Sequence, residues 1–295
     1  MGTDKRARQK AGRAARLEQA AQVQQRSQRK RTVTGLIAVV VAVAAIAVFF
    51  VAKGNKKTSS SNVAAGTSST VAGAATTVAT PTTVKGATAS GDVCPKVDGS
   101  SPRTLNFTSS PKQCLEPGKA YTATVKTNVG TVVLAVDTSK APKAANSFVF
   151  LSRYHYYDNT DLFRVAQSID IIQGGSPHTQ SNNDPGPGFT LTDEPTFTKN
   201  AQGNLTGPYK YTAGDLALAN TGQPNSAGGQ FFFITGPNGK NLDAQGTYMI
   251  IGHVTSGLPI LQKIVATAKT DPASSTGDQT PAPPVTIESV TISSK

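Results

Sequence analysis

Two segments of the sequence place polar side chains at intervals inside apolar runs. The first is LFRVAQSIDIIQGGSP, residues 162–177, and the second is LALANTGQPNSAGGQFFFITG, residues 216–236. In the first, Arg164 offers a planar and permanently charged fork of donors, and Gln173 adds an amide. Such donors suit the stabilisation of an electron-rich group by hydrogen bonds. Spacing alone leaves a second interpretation of Arg164 open, namely an ion pair at a strand edge.

Other arrangements of residues that carry chemistry are missing from the sequence. Its three His are scattered and its two Cys are too few for a four-thiolate zinc site, so we expect no metal and no other cofactor. The adjacent Asp193 and Glu194 would point to opposite sides of a strand, which favours hydrogen bonds to loop backbone over shared acid–base work. His155 is expected at a helix end. The Gly-Pro-Gly at 186–188 lacks the Lys-Ser/Thr and helix of a phosphate loop.

As an ordered set, four stretches of the sequence resemble the cyclophilin family of peptidyl-prolyl isomerases. They are F-R-V…I-Q-G-G over 163–175, G-P-G-F-T…D-E over 186–194, L-A-x-A-N…G-x-Q-F-F-F-I over 216–234, and NLDAQGTYMIIGHV over 241–254. Any one of them alone would be a weak signal, whereas their order is specific. The resemblance covers residues 119–295, about 60% of the chain.

The reaction that this resemblance implies is rotation about an X–Pro amide bond. The uncatalysed barrier is about 18–20 kcal/mol, and exchange takes tens of seconds or more. No covalent bond breaks, so the site needs no nucleophile, metal or general base, and it must bind a twisted amide better than a planar one. Twisting makes the proline nitrogen a better hydrogen-bond acceptor, which a fixed cationic donor can stabilise. A barrier lowered by about 7 kcal/mol would accelerate exchange roughly 10⁵-fold.

The resemblance also implies roles for individual residues. Arg164 corresponds to the family's catalytic arginine, and Gln173 to the glutamine that supports this arginine and the substrate carbonyl. Because side chains alternate along a strand, Phe231 and Phe233 are expected in the core, opposite Phe232. The residues that correspond to the peptide-holding groups and to the proline pocket are Ile171, Ala219, Asn220, Gln230, Phe232, Leu242 and Tyr248.

The residues themselves leave some of these roles open, and the sequence departs from the family pattern. Strand-end hydrogen bonds for Gln173, and a turn before Gly222 for Asn220, are alternative roles. Phe163 replaces a histidine that lines the family's site, and we expect it to line the site here. An expected insertion leaves either Ile169 or Asp170 where a pocket phenylalanine belongs. Where several family members carry a tryptophan linked to cyclosporin binding, this chain has asparagine at position 241.

The elements that position these residues can be predicted from local patterns. YTATVKT and TVVLAVD predict two strands around a turn at 128–130, and VTIESVTI predicts a closing strand. Apolar spacing predicts helices over 141–154, with Pro142 at the start, and over 258–268. Many short strands with two helices predict a mainly β fold. The family resemblance implies a closed eight-stranded antiparallel barrel with two capping α-helices.

The positive charge of the chain is concentrated at its start. Residues 1–31 hold ten Lys or Arg and two acidic residues, whereas residues 58–295 hold 16 basic and 15 acidic residues, so we expect no nucleic-acid partner. The uncharged apolar run at 33–52 is long enough to span a hydrocarbon core of about 30 Å. We expect a single transmembrane helix over 32–52, in preference to a buried helix or a cleaved signal peptide. The charge asymmetry predicts a cytoplasmic N-terminus and an extracytoplasmic remainder.

A linker and a lead-in are expected between the membrane and the barrel. Residues 53–92 are rich in Ser, Thr and Ala, which predicts a flexible linker. Cys94 and Cys114 lie in the lead-in, residues 93–118, and would face an oxidising space. A disulfide is therefore expected, with redox-active thiols as the alternative. Such a bridge stabilises by about 3 kcal/mol. The barrel domain, residues 119–295, is large enough to fold alone and is expected to be monomeric.

Together these features predict a membrane-anchored, bacterial, cyclophilin-type isomerase. Its partners would be the membrane and proline-containing polypeptides, and it would assist the folding of exported proteins. One alternative is a catalytically weak or inactive peptide-binding chaperone module, which the departures at Phe163, Asp170 and Asn241 motivate. Another is that the basic tail, residues 1–31, binds an intracellular partner. We prefer a topology signal for this tail over binding to anionic lipid.

Overall fold

The computed structural model describes residues 87–271, 274 and 277–295. The predicted basic tail, the predicted transmembrane helix and most of the predicted linker lie outside these residues. Within them, no helix has the length and apolar character that a membrane span requires. Strand β1 (Ala87–Ala89) pairs in parallel with β2 (Thr104–Phe107). The last part of the segment predicted as a flexible linker is therefore a strand that packs on the lead-in.

Most strands of the described chain belong to one antiparallel sheet. After β2, the strands in chain order are β3 (Tyr121–Thr127), β4 (Gly130–Val136), β5 (Thr160–Asp161), β6 (Arg164–Ala166), β7 (Ile171–Gly174), β8 (Thr198–Lys199), β9 (Leu205–Thr206), β10 (Asp215–Leu218), β11 (Phe231–Ile234), β12 (Ile250–Ser256), β13 (Lys269–Thr270), β14 (Gln279–Thr280) and β15 (Thr286–Ser294). The eleven strands of the sheet run in the order β13-β14-β6-β7-β11-β10-β12-β4-β3-β15-β5, while β8 and β9 pair with each other. The predicted hairpin with its turn at 128–130 is confirmed as β3 and β4.

The sheet curls into a half-barrel and does not close, so the prediction of a closed eight-stranded barrel was wrong. β5 pairs with β15, whereas β6, only two residues further along the chain, pairs with β7 and β14. The chain therefore crosses from one side of the sheet to the other between these two short strands. In the part of the chain that the structure describes, no ladder joins the edge strands β13 and β5.

Both predicted helices are confirmed, as α1 (Pro142–Arg153) and α2 (Leu258–Thr267). Pro142 suits the first turn of α1 because its missing N–H has no partner within a helix. The Glu194 carboxylate accepts hydrogen bonds from the main-chain N–H groups of Lys143 and Ala144, at 3.2 and 2.9 Å. Glu194 thus accepts hydrogen bonds from helix backbone, whereas Asp193 accepts the main-chain N–H of Asn225 in a loop, as its sequence context predicts. Two 3₁₀ turns, Gln167–Ile169 and Pro237–Leu242, follow strands β6 and β11 in the chain.

The core lies between α1 and the sheet and is rich in aromatic rings. Phe231 packs edge-on against Phe148 of α1 and against Tyr157, with ring centroids 5.9 and 5.2 Å apart. Its strand neighbour Phe233 lies 5.6 Å away on the same face. Full burial of each such ring stabilises the fold by about 1.5–3 kcal/mol. This packing fixes β11 and turns Phe232 toward the opposite face, as strand alternation predicts.

The lead-in is fastened to α1 and to the loop that follows β7. The predicted disulfide between Cys94 and Cys114 is formed. Asn146 of α1 accepts the main-chain N–H of Cys114 at 2.8 Å and donates to the carbonyl of Lys112 at 2.9 Å. The main-chain N–H of Phe107 donates to the carbonyl of Pro187 at 2.7 Å. The lead-in therefore holds the chain segment around Pro187 through this hydrogen bond.

Candidate active site

An open groove of about 590 Å³ lies on the face of the sheet opposite α1. All the predicted catalytic and substrate-binding residues except Phe163 line it. Phe163 is half-buried and lies between β5 and β6, directly before Arg164, and it is not among the residues that line the groove. The predicted residues that do line the groove are Arg164, Ile171, Gln173, Ala219, Asn220, Gln230, Phe232, Leu242 and Tyr248.

Strand register brings the central residues of the groove together. Arg164 of β6 is paired with Gln173 of β7, and Gln173 is paired with Phe232 of β11. Residues directly opposite each other in an antiparallel ladder project from the same face. The three side chains therefore form one row across three strands. The next row, which includes Val165 and Ile172, faces the core, and both residues are fully buried.

A chain of hydrogen bonds runs through the polar half of this groove. Arg164 donates from Nη1 to Oε1 of Gln173 at 2.7 Å. Gln173 in turn donates from Nε2 to Oε1 of Gln230 at 2.7 Å and to Oδ1 of Asn182 at 3.2 Å. Gln230 donates from Nε2 to the carbonyl of Asn182 at 3.3 Å. Each amide is held in one orientation, so Arg164 lies at the end of a directional network.

Sequence reasoning missed several polar residues of the groove, of which Asn182 contacts Gln173 and Asp278 contacts Arg164. A carboxylate oxygen of Asp278 lies 2.9 Å from Nε of Arg164, and the two side chains are 15% and 24% exposed. Asp278 lies in the proline-rich stretch before β15, and no sequence pattern in that stretch predicts a contact with β6. Arg164 therefore lines the groove and also forms the ion pair that the sequence left open, while its catalytic role stays a prediction.

The apolar half of the groove is built by packing instead of hydrogen bonds. The ring of Phe232 meets the ring of Tyr248 edge-on at 5.1 Å. Leu242, at the end of a 3₁₀ turn, and Ile171 of β7 complete this wall. Burial raises the pKa of the Tyr248 phenol, while the nearby positive charge of Arg164 and a hydrogen bond with Gln245 work in the opposite direction. The phenol is therefore neutral at physiological pH.

The expected insertion between β6 and β7 is a 3₁₀ turn followed by Asp170 in a left-handed conformation, with φ of 48°. The main-chain carbonyl of Asp170 accepts a hydrogen bond from the N–H of Thr235 at 2.7 Å. A carboxylate oxygen of Asp170 accepts the N–H of Asn238 at 2.8 Å. Asp170 thus anchors the turn that leads to Leu242. Of the two residues that the sequence left open, Ile169 lines the groove and Asp170 does not.

Asn220 lines the groove and forms the turn that the sequence left open, while its role in holding the peptide stays a prediction. Its side chain accepts the N–H of Gly222 at 2.9 Å, which is the predicted turn, and donates to the carbonyl of Thr247 at 2.8 Å. The main-chain N–H of Ala219 donates to the carbonyl of Gln230 at 2.9 Å. The Ala219–Asn220 segment is therefore fixed at the rim of the groove by these bonds on both sides.

The comparisons with known proteins agree on one family. The family model for "Cyclophilin type peptidyl-prolyl cis-trans isomerase/CLD" matches residues 122–292. The chain is 38% identical over 146 residues to the peptidyl-prolyl cis-trans isomerase cypE of Dictyostelium discoideum, a match that covers 49% of this chain and 85% of the relative. It is 34% identical over 178 residues to the peptidyl-prolyl cis-trans isomerase B of Escherichia coli, covering 58% of this chain and 98% of the relative.

Solved structures include a similar chain. A crystal structure of a Cryptosporidium parvum cyclophilin type peptidyl-prolyl cis-trans isomerase, in the presence of the dipeptide Ala-Pro, has 25% sequence identity and a TM-score of 0.46. The match covers 59% of this chain and 99% of that chain. The family model spans more than half of the chain, and two relatives are matched over most of their length at 34% and 38% identity. The chain therefore belongs to the family of cyclophilin-type peptidyl-prolyl cis-trans isomerases.

Proposed function

We propose that this isomerase accelerates X–Pro rotation with Arg164 as its catalytic residue and Gln173 as the residue that supports it. The observation that carries the proposal is the position of the guanidinium. It is held by Gln173 on one side and lies in the same groove as Phe232 and Leu242. A proline ring bound against these apolar side chains would bring its nitrogen within reach of a fixed cationic donor.

Catalysis in this arrangement comes from selective stabilisation of the twisted amide. In the planar amide the nitrogen lone pair is delocalised into the carbonyl and accepts hydrogen bonds poorly. Rotation localises the lone pair, so a donor from Arg164 gains strength only as the transition state is approached. A donor already fixed by Gln173 needs no reorganisation at that moment. No proton is transferred, and no other group has to react.

The role of Arg164 can be tested on the purified full chain with an X–Pro peptide, by NMR exchange or a protease-coupled assay. We expect Arg164→Ala to lower kcat/KM by roughly 100-fold or more, the usual loss for a transition-state donor. Arg103→Ala is a matched control. Arg103 donates to the carbonyls of His155 and Asp158, away from the groove, so its removal should leave the rate unchanged. Equal activity of Arg164→Ala and the wild type would remove Arg164 from the mechanism.

The same assay addresses the alternative of a non-catalytic peptide-binding module. The ion pair between Arg164 and Asp278 supports this alternative, because a guanidinium that is already paired attracts a substrate less strongly. Such a module would bind the proline peptide in a titration but would not accelerate its exchange. If the wild-type chain binds the peptide but the peptide exchanges no faster than in buffer, this alternative is supported.

We further propose that the enzyme is a membrane-anchored bacterial form that acts on exported proteins. The apolar run at 33–52, the ten basic residues before it and the disulfide, which is typical of oxidising spaces, support this location. Protease added to intact spheroplasts should digest the 119–295 domain and leave the tail protected. Digestion of the domain only after lysis, with the tail accessible from outside, would contradict the proposed orientation.

A further inference from the structure

We propose that Asp278 is a positioning residue for catalysis, which holds the Arg164 guanidinium in its working direction from the side opposite Gln173. This inference rests on the proposed role of Arg164. It assigns a function to the paired strands β13 and β14, which the local sequence patterns do not predict.

Backbone pairing explains how Asp278 reaches the groove. Gln279 of β14 is paired with Val165 of β6, the chain neighbour of Arg164. Paired residues share a face and successive residues alternate, so Asp278 and Arg164 project from the same face of the sheet. The ladder between β13 and β14 joins Thr270 to Gln279 and fixes this strand in turn. The position of the carboxylate is therefore set by the sheet and not by a free loop.

The guanidinium is restrained from two directions. Nη1 donates to Gln173 at 2.7 Å, and Nε lies 2.9 Å from a carboxylate oxygen of Asp278. The Nε–H is not aligned with that oxygen, so the second contact is an attraction between charges and not a directed hydrogen bond. Across the described residues, no hydrogen bond involves Nη2 of Arg164. The two restraints thus leave the N–H groups of Nη2 for a substrate.

The burial of the pair makes this attraction effective. The two side chains are 24% and 15% exposed, so salt screens them less than it screens a surface pair. The pair Lys126–Glu288, with side chains 64% and 42% exposed, is a surface counterpart in the same sheet. An arginine side chain has many rotamers, and ordering it during the reaction would raise the barrier. A partner that orders the arginine beforehand removes this cost from the barrier, so it raises kcat without contacting the substrate.

The decisive substitution is Asp278→Asn, which keeps the size of the side chain and removes its charge. On the full chain with an X–Pro peptide, we expect kcat to fall about five- to tenfold and KM to change by less than about twofold. Asp278→Glu keeps the charge and should recover more than half of the lost rate. Glu288→Gln removes a carboxylate from the exposed pair and should leave both constants unchanged. A lower KM with unchanged kcat, or a rise in kcat, would overturn the proposal.

A double-mutant cycle separates positioning from a general structural effect. If Asp278 acts through Arg164, adding Asp278→Asn to Arg164→Ala should cause no further loss of exchange rate, as measured by NMR. A further five- to tenfold loss in that background would overturn the proposal even if Arg164 is catalytic. Wild-type activity of Arg164→Ala would instead refute the proposed function itself, so the two failures are distinguishable.

Discussion

The two halves of the groove differ in what holds their side chains. In the polar half, Arg164, Gln173 and Gln230 are linked by directed hydrogen bonds of 2.7 Å. In the apolar half, Phe232 and Tyr248 are held by ring packing and burial. The first arrangement fixes orientation, whereas the second fixes shape.

This difference suggests a division of function, in which the apolar half determines substrate binding and the polar half determines turnover. Rotation of the amide changes the electron density at the proline nitrogen, and it changes the apolar surface of the ring very little. Contacts with the ring are therefore equally strong in the ground state and the transition state, and they affect KM. Contacts with the nitrogen strengthen only during rotation and affect kcat. Substitutions in the two halves should separate these constants.

The largest effect on affinity is expected from Phe232→Ala in the apolar half. Loss of this ring should cost about 2 kcal/mol of substrate binding, so KM should rise roughly 30-fold while kcat falls less than about threefold. Peptide titration and exchange rates measure the two quantities, and a melting curve confirms that the variant is folded. Val129→Ala, at an exposed hairpin tip, is the apolar control. A fall confined to kcat would contradict the division.

A smaller effect, on the other constant, is expected from Gln173→Ala in the polar half. Gln173 is 5% exposed, and its loss removes the acceptor of Arg164 Nη1 and the donor to Gln230. We expect kcat to fall about tenfold because the guanidinium loses one restraint, with KM changed less than about twofold. Gln262→Ala, which removes a hydrogen bond to the carbonyl of Thr235 outside the groove, is the control. A raised KM at unchanged kcat would place Gln173 in the binding half.

The row Arg164, Gln173 and Phe232 could be predicted from the sequence because it depends on local alternation and on an ordered set of motifs. The positions of Asn182 and Asp278 beside this row could not be predicted. Asn182 reaches Gln173 from the loop after β7, and Asp278 reaches Arg164 through the pairing of β14 with β6, which is a long-range property of the sheet. Closure of the barrel was implied by the family resemblance and was wrong, and local patterns could not have corrected it. Apolar runs indicate strands, but they do not show which neighbour each short strand pairs with.

The residues at which the sequence departs from the family show the same limit. Phe163 was expected in the groove because it replaces a residue of the family's site, yet it is not among the residues that line the groove. The choice between Ile169 and Asp170 was open because an insertion destroys the register on which alternation depends. Of these two residues, Ile169 lines the groove, whereas hydrogen bonds tie Asp170 to Thr235 and Asn238.

The smallest effect is expected where the two halves meet, at Tyr248. Its ring packs on Phe232 while its phenol senses the charge of Arg164, and burial leaves the pKa of the phenol raised. The folded chain therefore keeps this proton at a pH where the unfolded chain has begun to lose it. The resulting stability is complete below the ordinary pKa of about 10 and is lost as pH rises through the raised value.

The raised pKa predicts that the Tyr248 phenol stays neutral and adds no step to the pH profile of kcat/KM between about 6 and 9.5. Tyr248→Phe should retain at least about half of the wild-type kcat/KM, since the ring contact with Phe232 remains. A pH–rate profile of both chains measures this. A step near neutral pH that disappears in Tyr248→Phe would show that the phenol titrates during turnover. Tyr248 would then belong to the polar half, and the boundary between binding and turnover would lie beyond it.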